Sequence, residues 1–136
     1  MTVSKTQLLF AFGALLASGV VGATEPASEP QYSREYAKCM DKTNGVTFDM
    51  IECINAETKR QDARLNQNYK ALMAAQTGKQ RNALLAAQRA WIAFRDANCD
   101  FYYDPDGGTA ARLAAYSCHL HMTASRADEL LNLNGN

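Results

Sequence analysis

Proline is nearly missing from this sequence. Its three copies are Pro26, Pro30 and Pro105, so nothing between Gln31 and Asp104 forces a helix to break by ring clash or a lost amide. Sustained alternation of apolar and polar residues is also absent, and with it the signal of a half-buried strand. No C-x-x-C or comparable pair occurs, which excludes the usual zinc sites. The 14 basic residues match the 14 acidic ones, and none form a block or an arginine stripe able to neutralise a row of phosphates, so nucleic acid is excluded as a partner. The two histidines, His119 and His121, would point roughly 200° apart on a helix and cannot share a metal. No serine or free-cysteine nucleophile motif stands beside either of them. Asp104-Pro105-Asp106-Gly107-Gly108 invites comparison with a calcium loop, but Ala115 occupies the position of the closing glutamate. Spacing selects no pair of carboxylates for glycoside hydrolysis. No catalytic site, metal or cofactor is therefore expected.

The one long apolar run, Leu8 to Val21, follows Lys5 and ends in small residues, the pattern of an export signal. It is shorter than the roughly 20 residues of a membrane span. Val21 and Ala23 satisfy the small-residue rule, which puts the cut after Ala23 and assigns residues 1–23 to the signal peptide. No cysteine follows the run, so a lipid anchor is not expected there. Cleavage removes one base, Lys5, and no acid, leaving a net charge of −1. The product is expected to be periplasmic or secreted. There, four cysteines in a small domain read as two disulfides. Three pairings are possible; Cys39 with Cys53 and Cys99 with Cys118 is favoured, because each pair brackets a turn between helices. Loops of this length are worth about 3 kcal/mol each by the chain-entropy model.

From Thr24 to Gln31 the chain has two prolines and no apolar period, and is expected to be a flexible leader. The domain then runs over 32–136. A short helix is expected from about Tyr32 to Lys42, ended by Asn44-Gly45. Thr47 is expected to cap a long helix reaching about Thr77, with Phe48, Ile51, Ile54, Leu65, Tyr69 and Leu72 on its apolar face, interrupted by Thr58 and Asp62. Gly78 breaks that pattern. A third helix starts near Lys79 with Leu84, Leu85, Gln88, Trp91, Ile92, Arg95 and Cys99 at helical spacing. The Asp104 to Gly108 segment ends it, and Thr109 is expected to cap a fourth helix with Leu113, Tyr116, Leu120, Thr123, Ala127 and Leu130 inside. The fold class is all-α: a disulfide-stapled up-and-down bundle of about four helices, one of them short.

Polar residues on otherwise apolar faces draw attention. Asp62, Asn66 and Tyr69 share one helix face, and an arginine, Arg95 or Arg126, would satisfy the carboxylate, with Gln88 nearby. A structural hydrogen-bonded network fits them better than a reactive site, since unpaired buried polar groups are costly. Leu65 and Trp91 are assigned to the core. Asp96, Asp100 and Asp104 fall at i, i+4, i+8, followed by Asp106, with no Lys or Arg between. Such a ridge is usually only solvated, but with Gly107 and Gly108 it is the candidate surface for steering onto a cationic partner.

Asp62-x-x-Leu65-Asn66-x-x-Tyr69, then Gln88-Arg89-Ala90-Trp91-Ile92-x-Phe94-Arg95-Asp96-Ala97-x-Cys99, Gly107-Gly108-Thr109, Cys118 and Thr123-x-x-Arg126-x-x-Glu129-Leu130 resemble the LprI family. The resemblance covers nearly everything from Cys39 onward. It implies a helical, disulfide-bonded bacterial envelope domain that inhibits lysozyme by covering its cleft, binding without chemistry. A loop spanning Asp104 to Thr109 is the candidate for insertion. The alternative is an envelope interaction protein with another partner, such as an immunity factor against a secreted toxin.

Overall fold

The computed structural model describes residues 29–135. The expected signal peptide, its cleavage site and the leader up to residue 28 lie outside the described residues. Four helices follow: α1 (Arg34–Met40), α2 (Thr47–Ala75), α3 (Gly78–Asp100) and α4 (Gly108–Asn134). There is no strand among the described residues. α1 ends before Asn44 and Gly45, both at positive φ, where the left-handed region turns the chain into α2. Gly78, at φ +52°, reverses it between α2 and α3.

α2, α3 and α4 run up, down and up, so α2 and α4 are parallel neighbours. Their cross-links advance together along the two chains, from Arg64 with Ala124 and Asp128 to Asn68 with Ala127 and Asn134. Those between α3 and α4 run in opposite senses, from Gln88 with Arg126 to Asn98 with Cys118. Leu65, Leu72, Ala127 and Leu130 form the buried core, with Tyr69, Leu84 and Trp91 packed against it. Each fully buried leucine contributes on the order of 1.5–3 kcal/mol. The two disulfides join Cys39 to Cys53 and Cys99 to Cys118, with Cα atoms 5.7 and 5.5 Å apart. One ties α1 to α2, and the other closes the α3–α4 turn.

Several expected details are corrected. The cap positions of α2 and α4 fall to Val46 and Gly107 rather than Thr47 and Thr109, and neither makes a side-chain cap hydrogen bond. Phe48 is 70% exposed, Ile51 is only half-buried and Tyr116 is exposed. The inner stripe of α2 is Ile54, Glu57, Gln61, Leu65, Asn68 and Leu72, a three-and-four spacing in which half the side chains are polar. Trp91 is half-buried, packing on the core rather than within it.

Residues 30 and 31, expected in the flexible leader, are held on the bundle. Pro30 is buried, the Gln31 amide donates to Asp128 (3.2 Å) and the Gln31 carbonyl accepts from Gln61 (2.9 Å). Ser33 caps α1 by accepting from the Tyr36 amide (3.1 Å) and donates its hydroxyl to Glu57. The fully buried Glu57 carboxylate also accepts from the Ser33 amide (2.8 Å), Gln61 (2.6 Å) and Arg60 (3.1 Å). This strap explains Glu57 and Gln61 in the stripe, and the Ala127 carbonyl of α4, which accepts from Asn68 (2.8 Å), explains the third polar residue. The inner face of α2 must meet a length of backbone as well as another helix, and exposed amides and carbonyls require polar partners.

Candidate functional site

Two regions bring together residues singled out by the sequence. The first is the turn between α3 and α4. α3 ends at Asp100, and the hydrogen bonds that set the turn include those from the Tyr103 amide to the Asp100 carbonyl (3.0 Å), the Asp106 amide to the Asp104 carboxylate (2.9 Å) and the Gly107 amide to the Asp104 carbonyl (3.1 Å). Both glycines have backbone reasons to be there. Gly108 sits at φ +63°, and a Cβ on Gly107 would lie 2.7 Å from that of Ala111. The buried Cys99 and its bond to Cys118 anchor the base of the turn.

The expected acidic ridge is not continuous. Asp104 lies beyond the helix, so the i+8 relation fails, and one of its oxygens is engaged in the turn. Asp96 is paired with its neighbour Arg95 (2.8 Å). What the turn presents is a mixed surface: Asp100, Asp104 and Asp106 among exposed Phe101, Tyr102 and Tyr103, with the Phe101 and Tyr102 rings edge to face at 5.7 Å. Periodicity gave no hint of these aromatics. The run Phe101-Tyr102-Tyr103 beside the aspartates was the available signal, because aromatic side chains are large and stiff contact residues enriched at interfaces.

The second region is an open cleft of about 250 Å³ between α2 and α3, lined by Asp62, Leu65, Asn66 and Tyr69 on one side and Leu85, Gln88, Arg89, Trp91, Ile92 and Arg95 on the other. The single network expected from Asp62, Asn66, Tyr69, Gln88, Arg95 and Arg126 is divided here. Asp62 and Asn66 are exposed and bond to each other (3.0 Å). Gln88 accepts from the buried Arg126 (3.1 Å), which also pairs with Glu129 (2.7 Å). Arg95, held by Asp96, donates to Thr123 (3.4 Å). Trp91 is the hinge of these groups, with the Arg95 and Arg126 guanidiniums 5.1 and 5.8 Å from its ring, within cation–π range. Asp62 is left out because water solvates its carboxylate, so no buried arginine is required.

Among the described residues no group of three His, Cys, Asp or Glu side chains could hold a metal. His119 lines a groove with Asp62, Arg95, Tyr116 and Thr123, while His121 faces the Tyr32 hydroxyl at 3.4 Å. Burial tends to push the Glu57 carboxyl up, but the hydrogen bonds from the Ser33 hydroxyl, Gln61, the Ser33 amide and Arg60 outweigh it and hold it below the ordinary carboxylate range. A carboxylate held ionised in this way suits a structural anchor and not a proton donor.

Residues 39–130 match the family described as lysozyme inhibitor LprI. A protein of Rhizobium meliloti (strain 1021), named only as an uncharacterized protein, is 27% identical over 124 aligned residues, spanning 81% of this chain and 86% of the relative. No solved structure matches.

Proposed function

Because the chain belongs to the LprI lysozyme-inhibitor family, we propose that it is an exported, non-catalytic inhibitor that binds lysozyme through the stapled α3–α4 turn. The observation that carries this reading is the turn itself. Asp100, Asp104 and Asp106 stand exposed beside Tyr102 and Tyr103 on a backbone fixed by the Cys99–Cys118 bond and its internal hydrogen bonds. Acidic groups steer a cationic enzyme into encounter, and a preorganised turn with aromatic anchors limits the ordering cost of binding. The two disulfides favour an oxidising compartment, in keeping with export. The cleft between α2 and α3 is assigned to scaffold, since its Gln88–Arg126 pair and Trp91 brace α3 against the core.

Titration of the purified protein into a lysozyme assay on bacterial cell walls tests the reading. Inhibition should rise with protein and saturate. Tyr102→Ala with Tyr103→Ala should weaken it without loss of helicity. No inhibition of any animal lysozyme type at micromolar protein would remove this reading and leave an envelope interaction protein with another partner, such as a secreted toxin.

A further inference from the structure

The outer face of α3 has no partner among the described residues. It carries Phe94, 60% exposed, and Phe101, 83% exposed, and the other residues along it, Ala83, Ala87, Ala90 and Ala97, are exposed as well. Positions 83, 87, 90, 94, 97 and 101 alternate steps of four and three, the 3.5-residue repeat of a helix seam. The buried residues of α3, Gln88 and Cys99, lie on the opposite side. The exposed side of α2 is different in kind, with Lys59, Asp62, Asn66, Gln67 and Lys70. A face turned only to water has no need of two phenylalanines in register with four alanines.

We propose that α3 pairs antiparallel with α3 of a second copy of this chain, about a two-fold axis level with residue 92. Two properties of the face select this occupant and this direction. The first is size. An antiparallel seam centred there sets Phe94 against the second copy's Ala90, Phe101 against its Ala83 and Ala87 against its Ala97, so each ring meets a methyl group and the helices can approach closely. The second is charge. The N-terminal half of α3 bears Lys79, Arg81 and Arg89, all exposed and in no ion pair among the described residues, whereas in the C-terminal half Asp96 is taken up by Arg95 (2.8 Å) and Asp100 is left as the acid in no ion pair. Antiparallel pairing lays the basic half over the acidic half, whereas parallel pairing would lay like on like. The interface is isologous and closes at two copies, so it does not propagate into fibres. The two α3–α4 turns then stand at opposite ends of the dimer.

Sedimentation of the purified, disulfide-bonded protein over a dilution series should show a reversible monomer–dimer equilibrium. Ala90→Glu puts a carboxylate opposite a ring in the seam. It should weaken the dimer about tenfold or more, roughly 1.4 kcal/mol at the least, while the helicity of the monomer stays the same. Geometry is tested with a short thiol-specific cross-linker. Ala93→Cys, close to the axis, should cross-link to its own copy, and Ala83→Cys, about 27 Å from its counterpart at 1.5 Å rise per residue, should not. Equal cross-linking at both positions would mean parallel pairing and overturn the proposal. So would a protein that stays monomeric throughout, including the case in which Ala90→Glu abolishes lysozyme binding by a monomer and so gives the face to another protein.

Discussion

The two sides of this bundle are built on different terms. Where α2 meets α4, the buried stripe carries Glu57, Gln61 and Asn68 beside leucines, and no buried side-chain polar atom among the described residues lacks a partner. Backbone from Pro30 to Ser33 is threaded into that network. α3, in contrast, buries only Gln88 and Cys99 and keeps its outer face bare. Specificity resides in the first side and adaptability in the second. A fully satisfied polar network admits one arrangement and resists change. A helix braced mainly by a disulfide, a tryptophan and a few side-chain hydrogen bonds can present its exposed residues to something else.

The sharpest break in the α2–α4 side should come from its leucines. Leu65→Ala, at 3% exposure, is expected to cost about 2–5 kcal/mol in chemical denaturation, as buried leucine truncations do. Next comes the staple that holds α3: replacing Cys99 and Cys118 together by alanine should cost about 2–4 kcal/mol. Proteolysis should then cut first in the α3–α4 turn. Equal cleavage throughout the chain would show that α3 is no less secure than its neighbours.

Glu57 makes the α2–α4 side sensitive to pH. Its folded-state carboxyl is held below the ordinary range, so its stabilisation is complete above the unfolded value and is lost as pH falls through the folded one. Glu57→Gln should lower stability at neutral pH by about 1–3 kcal/mol. It should also flatten the acid limb of the stability–pH curve. An unchanged acid limb would mean that other carboxylates set it. The smallest effect is expected at Phe48, which lies on the apolar side of α2 by periodicity yet is 70% exposed. Phe48→Ala should change stability by less than about 0.5 kcal/mol.

Phe48 also marks what the sequence could and could not tell. Helix number and type were legible, because Gly45, Gly78 and the Asp104 to Gly108 segment stand where the chain turns, and the cysteines bracket two of those turns. The inner face of α2 was not. Its period was correct, but apolar residues alone pointed to Phe48 and Ile51, while Glu57, Gln61 and Asn68 are buried against groups distant in sequence. Gln61 meets the Gln31 carbonyl and Asn68 meets that of Ala127. A polar residue reads as exposed until its partner is known. The acidic residues were legible one by one, but their alignment depended on a helix that stops at Asp100, four residues short of Asp104.

The proposed function seats a cationic enzyme on the α3–α4 turn. The most direct test measures association and dissociation rates with lysozyme at low and physiological salt, for the natural chain and for a variant with Asp100, Asp104 and Asp106 all changed to Asn. An amide oxygen at residue 104 can still accept from the residue 106 amide, so the turn and the melting temperature should persist. For the natural chain the association rate should fall as salt rises, because exposed charges are screened beyond about 8 Å at physiological ionic strength, and the dissociation rate should change little. The variant should associate slowly at both salt concentrations. If it associates as fast as the natural chain, with the same salt dependence, the turn is not the docking surface.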